Sequence, residues 1–523
     1  MDSKARIQPT AGFRERMFLV TISQLLENRA RELGNRPFIL SEEKTYSYAE
    51  MNEYAVRVAA NLSQLGVRKG DKIVLLMGNC MEFLFAFLGA GSIGAVVVPV
   101  NPVLKPDEIT YIIGNSDAET LIAVPEFEPL FSEFQKAAPT LKRVIVTGET
   151  AVRAMSFARL LEPVDASPNQ AAGPKDEASL IYTSGTTGMP KGVILTHSNY
   201  VWNARMLMHA VDVTEADRFF CVLPLFHVNA QVVSVLTPLM AGASTVLMKK
   251  FNPFAILPMI EQYRVTVLSA VPTIYNVMAR MPHAESFDID SIRIFASGAA
   301  PLPEETYRLV RNVFKKELIM GYGLSEATCA SAVANSRDPI KWDSVGSPLP
   351  YTQIRLVNHE GKDVPPGEIG EILISGPAVM KGYYKNPEAT AAVLKNGWLY
   401  TGDLGRFDEE GYLFIVGREK DVIIRGGLNI YPQQVENVIS QLRGVEECCV
   451  VGVDEPRWGQ EVLAVIKRGD GAELTEEEVL RYCRERLAQY KCPRHVRFVD
   501  SLPKTATGKI KKNELAARYR RER

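Results

Sequence analysis

The run Tyr182–Gly192, YTSGTTGMPKG, sits between two apolar stretches and packs hydroxyl side chains, three glycines and one lysine into eleven positions. Gly185, Gly188 and Gly192 allow backbone N–H groups to approach an anion closely. Thr183, Ser184, Thr186 and Thr187 offer rotatable hydroxyl donors, and Lys191 adds a point charge. The spacing is not that of the Walker loop, and Pro190 before Lys191 argues against a loop running into a helix. Spacing alone leaves a solvent-exposed turn open beside a phosphate loop.

Working outward, Tyr46 to Val267 alternates helix-periodic stretches with short β-branched runs. AEMNEYAVRVAANLSQLG is followed by DKIVLLMG, DEITYIIGNSDAE by TLIAV, and FNPFAILPMIEQYRV by TVLSAV. That alternation predicts an α/β fold with parallel sheets covered on both faces. From Ser344 to Val416, YTQIRLVNHEGKDVPPGEIGEILISG and LGRFDEEGYLFIVGR read as hairpins, an antiparallel, barrel-like piece. After GREKD the chain restarts with YPQQVENVISQL, ECCVVGV, EVLAVIK and TEEEVLRYCRERL, a compact α+β unit. Residues 1–417 are therefore expected as a large domain, 418–420 as a hinge, and 421–523 as a small mobile domain.

The 523 residues are 46% hydrophobic and 23% charged, with a net charge of −1, which gives no global argument for nucleic acid or an anionic membrane. The seven cysteines have neither disulfide-framework nor zinc spacing and fit a reducing, cytoplasmic setting. No apolar h-region follows the basic N-terminus. The uncharged runs Phe83–Val100 and Phe219–Met248 are broken by glycines, by Pro224 and Pro238, and by polar side chains, so both are expected in a protein core rather than a membrane. From Arg481 onward the chain holds 14 Lys or Arg against 4 Asp or Glu. That is a solvated face or a surface for a polyanionic small molecule.

Four further segments accompany the opening run in order: GYGLSEAT (Gly321–Thr328), GWLYTGDLG (Gly397–Gly405), GREKDVIIRGGLNIYPQQVE (Gly417–Glu436) and LPKTATGKIKK (Leu502–Lys512). With them the chain resembles the adenylate-forming superfamily of acyl-CoA synthetases, peptide-synthetase adenylation domains and luciferases. The resemblance implies an acid–thiol ligase: a carboxylate attacks the α-phosphorus of ATP, then a thiol takes the acyl group from acyl-AMP. It implies ATP, Mg2+ and coenzyme A, a small carboxylic acid as partner, and leaves a homodimer open.

Site residues follow from the same resemblance. Lys509 would bridge carboxylate and α-phosphate, Glu326 would contact magnesium, and Ser325 would offer its hydroxyl to the α-phosphate. The opening run from Thr183 to Lys191 would hold the ATP phosphates. Tyr322 would lie against adenine, Gly298, Ala299 and Ala300 would line it, and Asp403 with Arg418 would take the ribose. Lys420 corresponds to the hinge, and Gly426 and Gly427 to the passage of pantetheine. His227 corresponds to a residue near the substrate carboxylate, with Val228, Asn229, Val232, Val233 and Gly323 as acyl-pocket candidates. The mostly apolar walls lack an acid for an amino group, so an apolar acid is expected. A medium- or long-chain fatty acid leads; an aryl or carnitine-type acid, or a carrier protein as acceptor, is the alternative.

Overall fold

The computed structural model describes residues 20–149, 154–164, 172–183, 189–335, 339–469, 471–504 and 510–521. Two large sheets organise the first part of the chain. The nine-stranded sheet runs Ser347–Pro348, Ala332–Val333, Leu318–Tyr322, Ile294–Ser297, Val267–Ala270, Arg218–Cys221, Ser244–Leu247, Pro37–Leu40, Thr45–Ser47. Its strands from Leu318–Tyr322 through Pro37–Leu40 are parallel. The eight-stranded sheet runs Gly382–Tyr383, Lys191–Thr196, Glu177–Thr183, Val96–Val100, Lys72–Leu76, Ala118–Ala123, Arg143–Val146, Met155–Ser156.

Helices between these sheets explain the uncharged runs. Tyr48–Gln64 starts at a capping box in which Ser47 accepts from the Glu50 backbone and Glu50 accepts from the Ser47 backbone at 2.8 Å. Met51, Ala55, Val58, Ala59 and Leu62 recur at helical spacing and are all buried. This face packs on Met81–Ala90, buried at every position except Glu82. Their crossing is close: a Cβ at Gly89 would lie 2.5 Å from the Ala55 carbonyl oxygen, so any larger residue would separate the helices. The run then enters the fully buried strand Val96–Val100. Among the described residues no helix is long and apolar enough to cross a membrane.

The expected hairpins form. Gln353–Val357 pairs antiparallel with Gly370–Ser375, and Trp398–Phe407 pairs with both Gly370–Ser375 and Leu413–Arg418. Leu394–Lys395 completes this five-stranded sheet. The turn Glu419–Asp421 follows, and a fourth sheet begins at Ile423–Arg425. That sheet comprises Leu428–Ile430, Ile423–Arg425, Gly459–Arg468, Val445–Glu455 and His495–Val499, with its own core around Ile430, Val435, Val450 and Val462. Gln441 from this last part donates to Glu304 of the first at 2.8 Å.

Candidate active site

In an open parallel sheet, ligands are held beyond the carboxyl ends of the strands, where the chain order reverses. In the nine-stranded sheet the reversal lies at Arg218–Cys221: the next strand in sequence, Ser244–Leu247, adds on one side, and Val267–Ala270 on the other. The segment carrying His227 to Val233 leaves this strand end. Beside it end Val267–Ala270, Ile294–Ser297 and Leu318–Tyr322, in register at Ala270, Ser297 and Met320. The segments Gly298–Ala300 and Gly321–Glu326 continue from those ends. A Cβ at Gly298 would sit 3.4 Å from the Gly321 carbonyl oxygen, and Ala299 has φ +64°, so the strip turns sharply at the edge.

Two clusters gather on this edge. In the first, Tyr322 donates its hydroxyl to Asp403 Oδ2 at 2.8 Å, and Arg418 Nε lies 3.0 Å from Asp403 Oδ1. The hairpin pairing of Asp403 with Arg418 places acid and base opposite each other. Asp403 is only 6% exposed and turned inward, while Arg418 is exposed. Burial holds the Tyr322 hydroxyl well above its usual pKa, so it stays a neutral donor. The cluster presents a buried carboxylate beside an aromatic face.

The second cluster contains a residue that sequence reasoning missed. Tyr383 donates to Glu326 Oε1 at 2.9 Å, and Lys191 Nζ lies 5.3 Å from the centre of the same ring. The strand Gly382–Tyr383 pairs antiparallel with Val193 and Ile194, which carries the ring to the end of the opening run. Tyr383 therefore links the lysine expected at the phosphates to the carboxylate expected at magnesium. Its hydroxyl too is raised by burial and by Glu326. Glu326 fits a magnesium contact: it is half-buried, forms no ion pair among the described residues, and brings a hard oxygen donor. No described group of three or more His, Cys, Asp or Glu could hold a metal alone. One carboxylate plus substrate phosphates suits the reluctance of Mg2+ to shed water.

The opening run is a connection between antiparallel strands, with Thr183 opposite Lys191. Ser184, Gly185, Thr186, Thr187 and Gly188 lie outside the described residues, as does Lys509. Gly192 is a buried strand residue, and a Cβ there would lie 3.1 Å from the Tyr182 ring. A Cβ at Gly323 would fall 1.5 Å from the Cys329 carbonyl oxygen, so the chain's own backbone fills the space on that side. Ser325 opens the short turn Ser325–Ala327 that carries Glu326.

His227 packs edge-to-face on Phe226 at 4.5 Å between centroids. Beyond it, Ala230–Leu236 forms a wide π-type turn. Val228 and Val232 are buried in the central core, and Val233 is half-buried against it. Lys420 sits exposed in the turn Glu419–Asp421. Gly426 and Gly427 form the two-residue tip between Ile423–Arg425 and Leu428–Ile430, with φ of +58° and +81°. That turn needs positive φ at both positions. Trp458 covers Gly426, while a Cβ at Gly427 would meet nothing within 4 Å.

The AMP-binding enzyme model matches residues 26–384, and the AMP-binding enzyme C-terminal domain model matches 434–509. The chain belongs to the AMP-binding enzyme family. It is 40% identical over 476 residues to a feruloyl-CoA synthase of Amycolatopsis sp, covering 90% of this chain and 94% of that one. It is 36% identical to the long-chain-fatty-acid–CoA ligase FadD13 of Mycobacterium tuberculosis, covering 92% and 94%. Among solved structures it resembles the anthranilate CoA ligase AuaEII in complex with anthranoyl-AMP, with TM-score 0.90, 29% identity, and coverage of 96% and 97%. ATP-bound MatB from Rhodopseudomonas palustris gives TM-score 0.88 at 30% identity, covering 96% and 99%. The protein is an AMP-forming acid–thiol ligase of the acyl- or aryl-CoA kind that uses ATP, Mg2+ and coenzyme A.

Proposed function

We propose that the protein joins an aryl carboxylic acid of the cinnamate kind to coenzyme A through an enzyme-bound aryl adenylate. The observation that carries the substrate class is the likeness to ligases of aryl acids. Relatives named for feruloyl-CoA, indoleacetate and 4-coumarate, at 40%, 35% and 33% identity, support the same class. A long-chain fatty acid is the second reading, favoured by the 36% identical mycobacterial ligase.

The first half-reaction brings one anion onto another, so charge must be neutralised where the carboxylate oxygen meets the α-phosphorus. Lys509 does this, with Lys191 on the departing pyrophosphate. Glu326 would hold magnesium together with the nucleotide, and the ion would supply charge screening at the phosphates. Asp403 accepts the ribose hydroxyls while Tyr322 presents its ring to adenine. His227 closes the acyl side, where the carboxylate must stay dry to remain nucleophilic. The small domain, 421–523, then turns about Lys420 so that the Gly427 tip replaces Lys509 and admits the pantetheine thiol. Free thiols at all seven cysteines fit a cytoplasmic enzyme.

The test is a competition. The purified protein receives 4-hydroxycinnamate, cinnamate, octanoate and palmitate at equal concentration with ATP, Mg2+ and coenzyme A, and thioesters are identified by mass. Aryl thioesters are expected to dominate; a dominant palmitoyl or octanoyl product would return the enzyme to aliphatic acids.

A further inference from the structure

The segment 377–385 is a strap that touches both the turn carrying Glu326 and the strand carrying Lys191. At the turn, Met380 N–H donates to the Glu326 carbonyl at 2.8 Å, and Thr328 donates its hydroxyl to the Ala378 carbonyl at 2.6 Å. Along the strand Lys191–Thr196, Lys381 N–H donates to the Ile194 carbonyl at 3.0 Å and Tyr384 N–H to the Gly192 carbonyl at 2.8 Å. Tyr383 N–H points away from that strand and donates to Thr390 Oγ1 at 2.9 Å. Successive strand residues face opposite sides, and the two tyrosines divide accordingly. Tyr384 donates to Asp117 at 2.9 Å, which also pairs with Lys385 at 2.6 Å. Tyr383 turns the other way, to Glu326.

There it stands between opposite charges. Its hydroxyl bonds one oxygen of Glu326, Oε1, at 2.9 Å, while its ring faces Lys191 Nζ at 5.3 Å. Among the described residues neither Lys191 nor Glu326 is in an ion pair, although both are half-buried and share this ring. Without the ring, the two charges would attract each other directly. The ammonium would then be occupied by a carboxylate instead of a phosphate, and the carboxylate by an ammonium instead of a cation.

We infer that Tyr383 is a positioning residue with two roles: its hydroxyl orients the Glu326 carboxylate for magnesium, and its ring keeps Lys191 and Glu326 from neutralising each other. The inference rests on the reading of Glu326 as the magnesium contact and of Lys191 as a phosphate contact. A bond to Oε1 fixes the carboxylate plane and leaves Oε2 for the cation. Groups that orient a metal-binding side chain in this way contribute strongly to metal affinity.

The experiment measures the affinity of the purified protein for ATP by titration calorimetry, once with Mg2+ and once with EDTA. A dissociation constant does not depend on the fraction of protein that is folded. Tyr383→Phe keeps the ring and loses the hydroxyl; it is expected to weaken binding with Mg2+ by about tenfold or more and to leave binding in EDTA unchanged. Tyr383→Leu loses both groups and is expected to weaken binding under both conditions. Adding Glu326→Gln to that variant removes the carboxylate that would capture Lys191, and is expected to restore binding in EDTA. Equal weakening with and without Mg2+ in Tyr383→Phe, or none, overturns the orienting role, since a merely structural tyrosine would not distinguish the two conditions. Failure of the double variant to recover overturns the spacing role. Glu326→Gln alone tells the two levels apart. If it keeps the gain in affinity that Mg2+ confers, the magnesium reading fails and this inference with it; if it loses that gain while both Tyr383 variants match the wild type, only the inference falls.

Discussion

Replacing Asp403 by asparagine tests the nucleotide side with little change of shape. The carboxylate accepts from Tyr322 at 2.8 Å and pairs with Arg418 at 3.0 Å. Arg418 is half-exposed, so that ion pair is screened and its loss costs about 0.5 kcal/mol. The Tyr322 bond survives by reversal, with the amide donating to the phenol oxygen. Folding is thus expected to weaken by only about 1 kcal/mol. The ribose suffers more. A carboxylate accepts from both hydroxyls, each bond to a charged group being worth ~1.5–3 kcal/mol, whereas an amide keeps one neutral acceptor and turns its NH2 toward the other. A net loss of about 2 kcal/mol corresponds to a fall of roughly 30-fold in kcat/KM for ATP. Pyrophosphate exchange with ATP and with 2′-deoxy-ATP reads this directly. The wild type should prefer ATP clearly, and the variant should lose most of that preference by losing rate on ATP. An equal loss on both nucleotides would refute diol recognition and leave Asp403 a purely structural acid.

Lys509→Ala is expected to cut adenylate formation by ~10³ or more while thioester formation from supplied aryl-AMP survives, since charge neutralisation is needed only in the first step; equal loss of both, measured separately, would contradict that division. Gly323→Ala should abolish soluble protein or lower the melting temperature severely, because its Cβ would overlap the Cys329 carbonyl. Gly78→Ala, where a Cβ meets nothing within 4 Å, serves as the tolerated control in the same melts. His197 is buried and its pKa is pushed down to about 4 by desolvation, from ~6.5 when unfolded. The depressed value means its contribution is full above pH 6.5 and is lost as pH falls toward 4, about 3 kcal/mol in all. His197→Gln should flatten the acid limb of stability between pH 6.5 and 4, and an unchanged limb would show that other groups set it.

What could be read from the sequence was local in the chain. The helix Tyr48–Gln64 announces itself through its cap and its apolar spacing, and Asp403 and Arg418 face each other because one hairpin holds both. Tyr383 was not legible, since its place beside Lys191 and Glu326 depends on a two-residue strand pairing with a partner almost 190 positions away. What two glycines accommodate was not legible for the same reason. Gly192 and Gly323 each accommodate the chain itself, the Tyr182 ring in one case and the Cys329 backbone in the other.

The most direct test follows the products with and without coenzyme A. With 4-hydroxycinnamate, ATP and Mg2+ alone, the account predicts pyrophosphate and an enzyme-bound aryl adenylate in equal amounts, recoverable by mass after quenching. Addition of coenzyme A should convert that adenylate to thioester and AMP, one for one. Formation of ADP, or an adenylate that coenzyme A never consumes, would contradict it.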